Sequence, residues 1–533
     1  MLKSKIKFTT LVVTVSLIGS MLAGCSIGKS AKSSDTTNSK SGKTVTIKFF
    51  DKNTGDAFTD DVAKEITKQT GVKVEIQQPT GDPLEKLNLM LASGDYPDMV
   101  LMDRGNSIVN KYISAGALIP LDDLISKYGS DVKQMYGDTL KKIRYKDGKN
   151  YYLSNWYGKD PDVVNGFVMR QDILKKLAGD KATNGQYFTQ DEFVKLLKDF
   201  KAKYPKINGK TTLPITLYAE DQNGVIGTFK GMFGLKSYYN VNGELKYDIR
   251  DPKYLEMLKF MNSLYTQGLL DKEWVVNKKQ LWLEKLSNGY TFSTPTAYWN
   301  VSDANVALAK DSGNDAQMYA YKVVANGVDP SKTTYSGRSS LGWDAIGITK
   351  NCKNPDAAMK FMNFLTSEKG QYLMMWGVEG KTWNMVDGKH KPTDKILTDF
   401  TNNFNATAKK TGVRHWTWFI KNGLGSDGTP YDMATKYKKD KAQVVANKNL
   451  TNTYWDTSEY DNLIPASGTP EALIYQKVTD IFNKAFPKIV DAPSQAKAVA
   501  LYNKMISDMD SAGLAKVEKV INTNYKERIK LWK

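Results

Sequence analysis

Eleven tryptophans stand in this chain, and several lie in polar, loop-like stretches instead of apolar stripes. Trp156 sits in Ser-Asn-Trp-Tyr-Gly beside Tyr157, Trp299 in Tyr-Trp-Asn beside Asn300, and Trp343 in Gly-Trp-Asp beside Asp344. Trp383 follows Gly-Lys-Thr, and Trp416 with Trp418 follows Arg414-His415. An indole face packs against the C–H face of a sugar ring while planar polar side chains bond its hydroxyls, so this combination has the chemistry of a carbohydrate cleft. Arg338, shortly before Trp343, adds a forked donor for a hydroxyl or a carboxylate. Large aromatics also fill interfaces between structural units, and Trp274, Trp282, Trp376 and Trp532 are assigned to such packing.

Bond-breaking chemistry has less to stand on. A glycosidase needs two carboxylates about 5 to 10 Å apart across a sugar bond, and nothing singles out such a pair among the 57 acids. No Gly-x-Ser-x-Gly elbow is present. His390 and His415 are the only histidines, and neither has a neighbouring His or Cys at metal-ligand spacing. No phosphate-binding or dinucleotide loop is visible, so no nucleotide chemistry is assigned. No catalytic residue, metal or cofactor is assigned.

The N-terminus carries chemistry of a different kind. Lys3, Lys5 and Lys7 precede an apolar stretch over residues 8–23 that is short for a membrane span, and Leu22-Ala23-Gly24-Cys25 closes it. This resembles the lipobox of exported lipoproteins, in which the cysteine is acylated and becomes the new N-terminus. Residues 1–24 are then a signal peptide, and Cys25 carries acyl chains that hold the protein at a membrane. Residues 25–43 form a flexible Ser/Lys/Thr/Gly tether that cannot bury enough apolar area to order itself.

Cysteine use fits export without disulfides, because Cys352 is the only other cysteine and reads as filler. The formal charge is +18, and removal of the three signal-peptide lysines leaves +15. Lysines are scattered among acids, with the densest run at 436–441, and no Arg-rich or Gly-aromatic nucleic-acid signature appears. Nucleic acid is therefore not expected as a partner.

The elements that must position these residues alternate strand and helix. Residues 44–50 and 72–76 are β-rich around a helical stretch at 61–69. Asp82-Pro83 opens a helix with Leu84, Leu87, Met90 and Leu91 in phase, and Gly94 stops it. A strand is expected at 98–102, another at 164–170, and Thr189 with Glu192 forms a capping box for a helix faced by Phe193, Leu196, Leu197 and Phe200. Further elements are a strand at 213–217, a helix at 252–267, a strand at 345–349 leading into a helix capped by Asn354-Pro355, and late helices at 470–485 and 493–511. About 490 residues exceed what one core serves, so an α/β protein of two lobes is expected. Asp51 and Asp103-Arg104 follow strands, where open α/β sheets place ligands, although capping and a surface ion pair explain them equally well.

Several stretches then carry a family resemblance. Leu91-Ala92-Ser93-Gly94-Asp95-Tyr96-Pro97-Asp98, Asp147-Gly148-Lys149-Asn150-Tyr151-Tyr152 and Met169-Arg170-Gln171-Asp172-Ile173-Leu174 resemble successive motifs of the extracellular solute-binding proteins of ATP-binding-cassette importers. Gly342-Trp343-Asp344 through Ala358, and Gly377-Val378-Glu379-Gly380-Lys381-Thr382-Trp383, resemble their late strand, helix and turn. Each motif alone is common turn chemistry; their order behind a lipobox, from about residue 44 to the C-terminus, is what carries the resemblance.

The resemblance implies a two-lobed periplasmic-binding-protein-like fold of the class II type, with an interlobe cleft. One lobe would take 44–160 plus 345–382, the other 161–344 plus 383–533. Ligand contacts are expected from Trp156, Tyr157 and Trp383, which lie in or next to the matched motifs, and, from their polar settings and strand-end positions, from Trp343, Asp344, Trp299, Asn300, Arg338, Asp51, Asp103, Arg104 and Trp416. The partners implied are an oligosaccharide, read as a neutral or uronate-bearing plant cell-wall fragment, and the membrane permeases of the importer. The protein would be a monomer, lipid-anchored on the outer face of a Gram-positive cell membrane. Some relatives carry a calcium loop, but 204–214 (Tyr-Pro-Lys-Ile-Asn-Gly-Lys-Thr-Thr-Leu-Pro) offers no carboxylate, so calcium is not expected there. A secreted carbohydrate-active enzyme and a cell-wall adhesion lipoprotein remain as alternatives.

Overall fold

A computed structural model describes residues 44–159, 162–433 and 441–533. The signal stretch, Cys25, the tether and most of the 436–441 lysine run lie outside the described residues. Among those described, nine strands make the two main sheets: β1 (Val45–Phe50), β2 (Val72–Gln77), β3 (Met99–Asp103), β4 (Leu153–Ser154), β5 (Asn165–Arg170), β6 (Leu213–Ile215), β7 (Thr291–Ala297), β8 (Met318–Tyr321) and β9 (Asp344–Ile348).

The alternation in Val45-Thr-Ile-Lys-Phe-Phe turns Ile47 and Phe49 into the core, and β1 pairs parallel with both β2 and β3. The first sheet has the order β2-β1-β3-β9-β4, with β9 returning antiparallel between β3 and β4. The second has the order β6-β7-β5-β8, with β6 and β7 parallel and β5 antiparallel to β7 and β8. Every residue of β7 is buried, as expected for a strand covered by helices on both faces.

Local signals set the helix ends. Asp82 accepts the N–H groups of Leu84 and Glu85 at 2.7 and 3.0 Å, Pro83 takes the first turn, and Gly94 adopts φ +72° at the stop. Thr189 and Glu192 make the full capping box. Asn354 precedes the helix Pro355–Thr366 but caps no N–H with its side chain. The late helices run Pro470–Val490 and Gln495–Ala512, and a third that the periodicity reading does not mark, Leu514–Trp532, ends the chain.

Residues 44–533 form one compact unit built on two hydrophobic cores. One core draws on residues 47–157 and 341–433, the other on 163–335 and 442–521. This corrects the expected division at 382/383: residues 383–433 pack into the first core. Trp416 meets Phe58 edge-on at 4.9 Å, Trp418 sits 5.0 Å from Phe49, and Trp383 lies against His390 at 4.3 Å.

The segments between the lobes hold each other. The Gly158 N–H donates to the Ser340 carbonyl at 2.9 Å, and the strand Ser336–Arg338 pairs parallel with Tyr454–Asp456. Asp456 accepts the Ser340 hydroxyl at 2.7 Å and its N–H at 3.2 Å. Arg104 of the first lobe meets Asp461 of the second at 2.6 Å. The last helix starts in the second core with Leu514, Val517 and Ile521 and ends with Trp532 on the first, under the Lys142 ammonium at 5.0 Å. Among the described residues no helix is long and apolar enough to cross a membrane.

Candidate functional site

The sheet topology gathers side chains from distant parts of the chain at one edge. β1 and β3 end at Asp51 and Asp103, and antiparallel β9 starts opposite them, with Asp344 in register with Asp103. β4 ends there too, followed by Asn155 and Trp156. The carboxyl edge of the first sheet therefore presents 51–53, 103–104, 155–156 and 343–344 together, which is where such sheets bind ligands.

Asp344 organises this edge. Its side chain is 1% exposed and lies 2.9 Å from the Lys52 ammonium. It accepts from Asn53 Nδ2 at 3.1 Å and Asn155 Nδ2 at 3.2 Å, and its own N–H donates to Asn155 Oδ1 at 2.9 Å. Burial pushes its carboxyl above the usual range and Lys52 opposes the push. Asp51 is likewise raised by burial, and it accepts the Trp418 indole N–H and the Asn53 N–H, both at 2.8 Å.

Above this polar floor stands an aromatic platform. Trp156 stacks on Trp343 with 5.6 Å between centroids and 23° between planes, and Trp343 is 50% exposed. Trp156 donates its indole N–H to Asn422 Oδ1, and the Arg414 guanidinium lies 6.0 Å from its ring. Asp432 holds Arg414 through both carboxylate oxygens, at 2.8 and 2.9 Å. A half-exposed indole with its partner fixed from behind is a preformed stacking surface.

The second sheet offers a matching edge. β7 ends at Ala297, opposite Asn165 at the start of β5, and Tyr298, Trp299 and Asn300 follow. Trp299 is 46% exposed with Tyr298 edge-on at 5.0 Å. Asn300 donates to Thr296 Oγ1 at 2.9 Å and to Asp221 Oδ2 at 3.3 Å. Asp221, raised by burial, also caps the helix Gln222–Phe233 through the Gly224 N–H. Asn165 at the second edge is eight residue steps along the chain from Tyr157 at the first, so at about 3.5 Å per step the edges lie within roughly 28 Å.

The sequence-selected residues divide accordingly. Trp156, Trp343, Asp344, Asp51 and Asp103 share the first edge, and Trp299 with Asn300 shares the second. Arg338 lies on the crossing strand and reaches the Asp162 carbonyl at 3.5 Å. Three choices are corrected as packing residues. Tyr157 is buried and stacked on Tyr136 at 3.8 Å, Trp383 is buried and donates to the Gly377 carbonyl, and fully buried Trp416 donates to Asp60 at 2.6 Å. Arg104 is 5% exposed, tying the Gly342 carbonyl, Ser339 and Asp461 together across the lobes. Sequence reasoning missed Lys52, Asn53, Asn155, Asn422, Arg414 and Asp221. The first three adjoin chosen residues and were open to discovery; Asn422 and Arg414 arrive only through tertiary folding.

The 204–214 stretch folds as a hairpin, Lys206-Ile207 against Lys210-Thr211, with Asn208 and Gly209 at φ +51° and +74°. Its donor set does not suit a divalent ion, which wants several oxygen ligands including carboxylates. Among the described residues no group of His, Cys, Asp or Glu is arranged to hold a metal.

A family model described as bacterial extracellular solute-binding protein matches residues 51–372. Lipoprotein LipO of Bacillus subtilis is 24% identical over 414 residues, covering 73% of this chain and 77% of that protein. A carbohydrate ABC transporter substrate-binding protein of Streptococcus pneumoniae is 23% identical over 460 residues, 84% of this chain and 85% of the relative. The solved structure of an HMO binding ABC-transporter associated solute-binding protein from Bifidobacterium longum infantis superposes with a TM-score of 0.68 at 19% identity, covering 91% of this chain and 99% of that one.

Proposed function

The chain belongs to the family of bacterial extracellular solute-binding proteins, and from that premise we propose that it captures an oligosaccharide between its lobes and delivers it to an ABC importer. One observation carries the reading: the Trp156–Trp343 stack stands half-exposed beside Lys52, Asn53 and Asp344 at the carboxyl edge of the first sheet. The indole face takes the C–H side of a sugar ring, and the polar floor takes its hydroxyls. Trp299 and Asn300 on the second edge close over the other side as the lobes hinge about the paired segments at Gly158 and Ser340. The relative described as a carbohydrate ABC transporter substrate-binding protein supports this ligand class. The reading includes no catalysis.

The same reading puts acyl chains on Cys25 and the protein on the outer face of a Gram-positive membrane as a monomer. The tether over 26–43 raises the effective concentration of loaded receptor at the permeases. Nucleic acid plays no part, and the 204–214 hairpin works without calcium.

Purified protein incubated with cell-wall oligosaccharides tests the reading. Unchanged sugar together with a ligand-dependent rise in melting temperature is expected. Hydrolysis products would overturn it in favour of an enzyme, and binding to intact wall without binding any soluble sugar would favour adhesion.

A further inference from the structure

We infer that the ligand of this cleft is an uncharged oligosaccharide, free of uronate carboxylates, an inference that rests on the sugar-binding reading above. The protein as a whole is strongly basic, at +18 for the full chain, an excess that in bulk favours an acidic ligand. Only charge at the cleft meets the ligand, and there the balance runs the other way.

Three basic side chains flank the indole pair, and each is matched. Lys52 lies 2.9 Å from Asp344, Arg104 lies 2.6 Å from Asp461, and Arg414 is held through both oxygens of Asp432. Three further carboxylates stand on the same edges: Asp51 shares Lys52 with Asp344, and Asp103 and Asp221 have no ion pair among the described residues. Asp51 accepts from the Trp418 indole and the Asn53 N–H, exposed Asp103 accepts the Gly105 N–H at 2.9 Å, and Asp221 accepts from Gly224 and Asn300. Arg338 donates to the Asp162 carbonyl at 3.5 Å, and the Asp162 carboxylate accepts from Gln443 at 2.8 Å and Asn447 at 3.0 Å.

An ionised carboxylate only accepts hydrogen bonds. Neutral sugar hydroxyls donate to it, so exposed Asp103 and half-buried Asp221 suit a neutral glycan. A uronate would need an unmatched guanidinium or ammonium and would instead meet like charge. Such repulsion at the separations of a cleft weakens binding by about tenfold or more.

Calorimetry with sugars matched in backbone and linkage tests this: mannotetraose against tetramannuronate, and xylotetraose against its glucuronate-branched form. The neutral member is expected to bind at least about tenfold more tightly at low ionic strength, with the gap narrowing as salt screens the repulsion. A uronate form that binds as tightly as its neutral partner, or a gap that salt leaves unchanged, overturns the charge inference and leaves the sugar-binding reading standing. Absence of binding to every member would remove both.

Discussion

Gly342 and Trp156 approach so closely that a Cβ on the glycine would lie 1.9 Å from the tryptophan carbonyl oxygen. Gly342 also holds φ +75°, a conformation that costs an L side chain about 1 to 2 kcal/mol. The turn thus brings Trp343 onto the Trp156 ring by giving up a side chain next door. Gly342→Ala is expected to lower stability in urea unfolding by at least that strain and to cost about tenfold in sugar affinity. A variant with unchanged affinity would separate the platform from the turn.

The tryptophans divide into two kinds, and substitution reads the division. Trp343→Ala removes a half-exposed ring and should cost sugar affinity about tenfold or more while leaving the melting temperature nearly unchanged. Trp416→Ala opens a cavity in the first core and leaves Asp60 Oδ2 without its indole donor, so about 3 to 5 kcal/mol of stability should go, with affinity per folded molecule retained. The reverse pattern in calorimetry and urea melts would contradict the assignment.

Asp456 clamps the crossing strand. Burial pushes its carboxyl up, but hydrogen bonds from Ser458 and Ser340 outweigh it and hold the group below the usual range. A depressed carboxylate contributes stability that is present above the unfolded-state value near pH 4 and is lost as pH falls through the folded one. Melting temperature should therefore fall as pH drops below about 4, and Asp456→Asn should flatten that fall. An equally steep profile in the variant would show that the clamp does not titrate.

The 204–214 hairpin should be indifferent to calcium. Melting curves with millimolar calcium and with a chelator are expected to coincide, and a calcium-dependent rise abolished by Asn208→Ala would contradict the proposal.

Much of the framework was legible because its signals are local. Asp82-Pro83 and Gly94 mark both ends of one helix, Thr189-x-x-Glu192 marks the start of another, and alternation places Ile47 and Phe49 inward. The polar neighbours of Trp156 and Trp343 made it legible that these rings stand at a surface instead of in a core. The same cue misplaced Trp416, whose local sequence is polar but whose partner Asp60 is 356 residues away. Asn422 fixes Trp156 across 266 residues. Pairings at such separations are set by which core a segment joins, and that is why residues 383–433 and the side chains they deliver escaped local reading.

The central claim is capture of a sugar by closure of two lobes, and small-angle X-ray scattering tests it most directly. The radius of gyration of the soluble protein lacking residues 1–25 should fall on saturation with a neutral oligosaccharide that raises its melting temperature. A radius unchanged at saturating sugar would contradict capture by closure.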